Sequence, residues 1–193
     1  MDVPRIRHGR NNDQPCGFMV EPEGAPLYER DPEAWQAYLA EGNAKQPRKR
    51  VSADVIVCDS AGRILLVNPS YKPDWDVPGG MVEANEPPHA AARRELREEL
   101  GLDVQVRQLL VIDWVSPHGQ WDDLLSMVFD SAPISDEQIS SIQFDDTEIS
   151  AFELCDRDQV EARLRPYVWR RVLAALEAKE SGIPSYLADG RRL

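Results

Sequence analysis

Three glutamates, Glu95, Glu98 and Glu99, crowd a short stretch immediately after Arg94. On an α-helix, at about 100° per residue, they fall within roughly a 100° arc. Carboxylates placed that closely repel one another, and burying them unpaired costs on the order of several kcal/mol. Packing gains nothing from such a patch. Divalent cations held between the side chains offset the cost, and a cluster of hard oxygen ligands suits Mg²⁺, with Mn²⁺ as a substitute. Arg94 lies next to Glu95 and four residues before Glu98, so it can orient a carboxylate and relieve the repulsion. Upstream, the pair Gly79-Gly80 lets backbone approach a metal closely and offer a carbonyl ligand. An acidic helix face is by itself usually a solvated face, so the elements around it decide the matter.

Residues 88–100 have helical composition, with Gly101 placed as a C-cap. Ala92, Leu96 and Leu100, at i, i+4 and i+8, give this helix a core face distinct from the acidic one. Residues 53–58 and 64–67 are β-branched or apolar runs flanking the turn cluster Asp59-Ser60-Ala61-Gly62, which predicts a β-hairpin. Residues 75–77 form a short strand stopped by Pro78. A long strand over 104–115 pairs antiparallel with 124–129 across a polar, aromatic loop, and 149–154 is a last strand. Two amphipathic helices, 156–164 and 167–179, are separated by Pro166. Irregular alternation of strands and helices gives an α/β or α+β class with a mixed sheet.

The segment GGMVEANEPPHAAARRELREELGL resembles the Nudix family. From Gly80 to Leu102 it matches the Nudix box, G-x5-E-x7-R-E-U-x-E-E-x-G-U with U aliphatic, at every fixed point: Gly80, Glu86, Arg94, Glu95, Leu96, Glu98, Glu99, Gly101 and Leu102. The resemblance implies a loop–helix–loop on an α/β fold, specifically an α/β/α sandwich with a mixed β-sheet. It also implies Mg²⁺-dependent hydrolysis of a nucleoside diphosphate linked to another group. Carried over by position, Glu95 and Glu99 are the principal metal ligands, Glu98 is a ligand or base, and the Gly79 carbonyl completes a coordination shell. Glu86 braces the loop beside Gly80, and Arg94 orients Glu95. The physical logic agrees, since metal neutralises pyrophosphate, polarises phosphorus and lowers the pKa of an attacking water. Family members often take a base from a loop downstream of the box. Here Glu148 is the leading candidate, followed by Asp145 and Asp146. Two rival readings are a nucleotide-binding sensor that does not cleave and an isomerase of isopentenyl diphosphate on the same fold. The first is opposed by the complete set of glutamates. The second needs an acid/base cysteine, and Cys58 and Cys155 sit in apolar strand contexts suited to packing.

Aromatic residues around the box could hold a nucleotide. Tyr71 and Trp75 precede it, and His118 and Trp121 lie in the loop after the long strand. Pro117, fifteen residues past Leu102, is a weak marker of family members that cleave ADP-ribose. Nucleotide sugars, nucleoside triphosphates and diadenosine polyphosphates remain candidates beside it.

The chain of 193 residues carries a net charge of −12. Residues 1–50 are neutral, with eight basic and eight acidic residues, so the remainder holds the whole excess. Such a body repels nucleic acid and favours a small-molecule partner bound through metal ions. No apolar run approaches the ~20 residues of a membrane span. Three scattered cysteines and an N-terminus without an apolar core fit the cytoplasm rather than secretion. The predicted organisation is an irregular extension over 1–50 with one short helix, a hydrolase domain over 51–180, and a loosely held tail over 181–193. In the extension, Asp31 and Pro32 start the helix and Gly42 ends it. Trp35, Tyr38 and Leu39 form a face that packs against the body or against a second subunit in a homodimer.

Overall fold

A computed structural model describes residues 25–144 and 148–193. Residues 1–24, with Cys16, and the candidate acids Asp145 and Asp146 lie outside the described residues. The chain divides into two compact units, Met1–Arg48 and Lys49–Leu193.

The described part of the first unit is helical: α1, Leu27–Arg30, and α2, Pro32–Lys45. The Asp31 side chain accepts a hydrogen bond from Ala34 N at 2.9 Å, and Pro32 occupies the first turn, as the sequence predicts. Trp35 and Tyr38, three residues apart, stack with ring centroids 5.5 Å apart. Gly42 does not end the helix, which runs on to Lys45. A helical glycine costs only about 1 kcal/mol, and the Glu41–Lys45 ion pair one turn on offsets part of that.

In the second unit, β1 (Arg50–Ile56), β3 (Gly79–Met81), β4 (Val106–Val115), β5 (Leu124–Ser131), β7 (Ser185–Ala188) and β8 (Arg191–Arg192) form one sheet in the order β3-β1-β5-β4-β7-β8. The sheet is mixed, with β1/β5 and β4/β7 parallel and the other pairs antiparallel. Strand β2 (Ile64–Pro69) pairs antiparallel with β6 (Ile149–Cys155) in a second, two-stranded sheet. The helices are α3 (Pro88–Leu100), the short α4 (Asp136–Ser140), α5 (Arg157–Arg163) and α6 (Pro166–Ser181).

Strand alternation builds the layers. Ala53 and Val55 of β1 point into a core shared with Ala91, Ala92, Leu96 and Leu100 of α3. Ile56 points the opposite way, into a core with Val168, Trp169, Val172 and Ala175 of α6. A sheet apolar on both faces needs a helix on each, and the result is an α/β/α sandwich. No helix among the described residues is long and apolar enough to cross a membrane.

Three expectations change. Segments 53–58 and 64–67 meet only at their turn, where Leu65 N donates to Val57 O at 2.9 Å; the strands then diverge into different sheets. Residues 75–77 contribute one bridge, between Asp76 and Val67, and the strand proper is the glycine pair that follows. The tail is not loose. Strand β7 runs parallel to the C-terminal half of β4, pairing with Val111 to Trp114, and Leu187 is buried in the α6-side core.

Candidate active site

Helix α3 begins with Pro88 in its first turn and ends at Gly101. Its apolar stripe is sealed against the sheet, so the opposite face must carry the charged residues. There Arg94 is a hub. Its Nε and Nη2 donate to the two oxygens of Glu86, each at 3.0 Å. Its Nη1 donates to Glu95 Oε1 and to Glu98 Oε2, both at 2.9 Å, and Nη2 also reaches Met81 O at 3.2 Å. Glu86 in turn accepts from Glu83 N at 3.0 Å, tying the loop before the helix. The Arg94 guanidinium holds the Glu86 carboxyl below its usual value. These bonds place Arg94 between Glu86 on the loop and Glu95 and Glu98 on the helix.

Gly79 and Gly80 allow the closest approach in the site. Gly79 has φ +141°, and a Cβ there would stand 2.5 Å from Ala53 O on the neighbouring strand. A Cβ on Gly80 would overlap the Glu95 carboxylate, which lies directly over the backbone. Gly79 N donates to Glu99 Oε2 at 3.0 Å. The glycine strand and the helix therefore meet with two carboxylates between them.

Burial, helped by the charges of Glu95, Asp54 and Asp76, drives the Glu99 carboxyl up to about 8 against the pull of the Gly79 N–H. Glu95 is also raised, chiefly by burial and against the pull of Arg94. Asp54, on β1 beside Gly79, rises to about 6 because burial outweighs the nearby Arg171. Glu98 differs, since its side chain is 58% exposed against 16% for Glu95. Among the described residues no three acidic, His or Cys side chains converge on one ready-made metal point. Arg94 draws Glu95 and Glu98 toward itself, and Glu99 is engaged with Gly79. Even so, the donor set fits a hard divalent cation: several partly desolvated carboxylates face one another with their charge only partly offset.

A cavity of about 400 Å³ opens beside Gly79, Gly80 and Glu99. Tyr71, His118 and Trp121 line it. Trp121 is 60% exposed, with the Arg50 guanidinium 4.5 Å from its ring centre. Trp75 does not line it. That ring packs against the α6-side core, with the Arg163 guanidinium 5.8 Å from its centre, because Asp76 bridges to β2 and aims its neighbour inward. Glu148 is exposed. Its carbonyl accepts from Ser70 N at 2.7 Å, and its charge raises the Glu95 carboxyl.

Sequence reasoning missed Asp54, Lys72, Asp76, Tyr167 and Arg171, all of which line the cavity. Two left a signal. Asp54 interrupts the apolar run of β1, and Arg171 sits on the stripe Val168, Val172, Ala175 of α6. Cys58 and Cys155 are buried, free and packed into the α6-side core, where burial raises both thiols. Neither lines the cavity, which disfavours the isomerase reading.

The NUDIX domain model matches residues 48–175. A MutT-like protein of Streptomyces ambofaciens is 27% identical over 147 residues, covering 76% of this chain and 88% of that one. The NAD-capped RNA hydrolase NudC of Mycobacterium tuberculosis is 32% identical over 131 residues, covering 66% of this chain but only 39% of that protein. Among solved structures, the MutT protein of Methanosarcina mazei Go1 superposes with a TM-score of 0.57 at 17% identity, covering 71% of this chain and 99% of that chain. This chain belongs to the Nudix family, and its class is that of the pyrophosphohydrolases.

Proposed function

We propose that this protein hydrolyses the phosphoanhydride of a nucleoside diphosphate linked to a second group, with Mg²⁺ or Mn²⁺ as cofactor. The observation that carries the reading is the apposition of Glu95 and Glu99 over the Gly79-Gly80 strand, with Glu99 and both glycines lining the cavity. Glu95, Glu99 and the Gly79 carbonyl would hold the cation, with Glu98 or Asp54 nearby. When bound, the cation supplies charge neutralisation for the diphosphate and acidifies the attacking water. Arg94 keeps Glu95 and Glu98 oriented, and Glu86 keeps Arg94 in place. Glu98 or the exposed Glu148 takes the proton from the attacking water. Tyr71, His118 and Trp121 form the rim on which a base or sugar rests. The catalytic unit is the body from Lys49 onward, and residues 1–48 are an extension. Free Cys58 and Cys155 support a reducing compartment such as the cytoplasm. The partner is a small nucleotide.

The test is product analysis on ADP-ribose, UDP-glucose, 8-oxo-dGTP and diadenosine tetraphosphate, with and without Mg²⁺. Cleavage of at least one, dependent on metal and lowered roughly 10²-fold or more in E99Q, is expected. Binding without product on every substrate would overturn the reading in favour of a sensor.

A further inference from the structure

Arg171 is an expensive residue in its position. It is 9% exposed on the apolar stripe of α6, and its Nε donates at 2.9 Å to Asp113 Oδ2, a carboxylate with no exposure. Exchanging a buried ion pair for apolar side chains is often neutral or stabilising, so stability alone does not account for this pair. The guanidinium borders the cavity, where Nη1 stops 3.9 Å from Asp54 Oδ2, outside hydrogen-bonding distance. The other cavity cations are held by neighbours of their own. Lys72 is paired with Asp76 at 2.6 Å, and Arg50 lies over Trp121 and donates to Asp122 O at 3.2 Å. A guanidinium anchored through Nε on the lining of a cavity is placed to grip a tetrahedral oxyanion through its Nη atoms.

The C-terminal turn sets this geometry. Gly190 N donates to both oxygens of Asp113, at 3.0 and 3.1 Å, so the carboxylate that holds Arg171 is itself held by the tail. A Cβ on Gly190 would stand 2.7 Å from Tyr167 O, which fixes the turn against the start of α6.

We propose that Arg171 contacts a phosphate oxygen of the substrate's diphosphate, and that Asp113, locked by the Gly190 N–H, is its positioning residue. This rests on the hydrolase reading above.

The test compares full-length wild type, R171Q, R171K and D113N/R171Q. Each is assayed at saturating Mg²⁺ on the best substrate of the panel, over a range of ionic strengths, with a melting curve for each. The double variant replaces the charged pair by an amide pair and covers the case in which R171Q alone does not fold. Loss of the contact is expected to raise KM about tenfold with a smaller change in kcat, and R171K recovers part of the loss. The rise of KM with salt flattens in R171Q and in the double variant, because a screened charge has been removed. A merely structural role would lower kcat and melting temperature and leave the salt dependence alone. Wild-type KM and salt dependence in a folded variant lacking Arg171 would overturn the proposal. If wild type cleaves nothing, the hydrolase reading has failed. Calorimetric titration with inorganic pyrophosphate and Mg²⁺ then decides on Arg171, and binding that is absent in wild type or unchanged in the variant overturns it.

Discussion

Arg94 and Glu86 are joined by two parallel hydrogen bonds, Nε to Oε1 and Nη2 to Oε2, each 3.0 Å long. The same guanidinium also holds Glu95 and Glu98 through Nη1. A lysine cannot make this fork. R94K therefore loses about 1–2 kcal/mol of stability and a larger share of its activity, because Glu95 and Glu98 lose their common partner. Urea denaturation beside an activity assay reads both. Unchanged stability and turnover would reduce the hub to a surface ion pair.

The two glycines of β3 separate structure from chemistry. At Gly79 an added Cβ meets backbone, Ala53 O at 2.5 Å and Asp54 Cα at 2.6 Å, on a strand that cannot move aside. G79A is expected to lose about 3 kcal/mol or more. At Gly80 the obstacle is the Glu95 carboxylate, the far end of a flexible side chain. G80A should melt close to wild type while losing most activity, since Glu95 must leave its place. Equal destabilisation in both variants would contradict this division.

Metal should stabilise the fold. A cation that binds only the native state adds about 2.7 kcal/mol at a concentration of 100 Kd. Melting temperature should therefore rise with Mg²⁺ or Mn²⁺ and fall back on chelation by EDTA. In E99Q the rise should shrink sharply. A wild-type melting curve indifferent to both ions would remove the cation from the site.

The tail anchor has its own pH signature. Asp189 Oδ1 accepts from Ser116 N at 2.8 Å and Ser116 Oγ at 3.0 Å, and the Ser116 N–H holds the Asp189 carboxyl below its usual value. A carboxyl depressed in the folded state adds stability that is complete above its unfolded pKa, about 3.9. That stability is lost as pH falls through the lower folded value. D189N should thus melt below wild type at pH 7, and the gap should close below about pH 4. A gap that widens on acidification would have the wrong sign. Because Ser116 O lies 3.0 Å from His118 Nδ1, amide exchange in residues 116–121 should also quicken in D189N.

The acidic helix, its core stripe, its glycine cap and the spacing of Gly80, Glu86 and Arg94 were all legible in the sequence, because each depends on residues close together in one continuous segment. The family followed from that spacing. Local periodicity also yielded β4, β5, β6 and both C-terminal helices. Other features rest on pairings that no window of sequence contains. Asp54 reaches the cavity because β1 lies between β3 and β5, and Arg171 because α6 packs across the face opposite α3. Trp75 and Tyr71, four residues apart and alike in type, part company because one bridge at Asp76 turns the first into the core and leaves the second at the rim. The tail reads as polar turn residues, yet it joins the sheet because β4 presents an edge to β7 and a buried carboxylate, Asp113, to which both the Gly190 N–H and Arg171 donate. Chemistry carried by one continuous segment is written in order along the chain. Which distant side chains share its cavity is settled by long-range strand pairing and by where buried charges find partners.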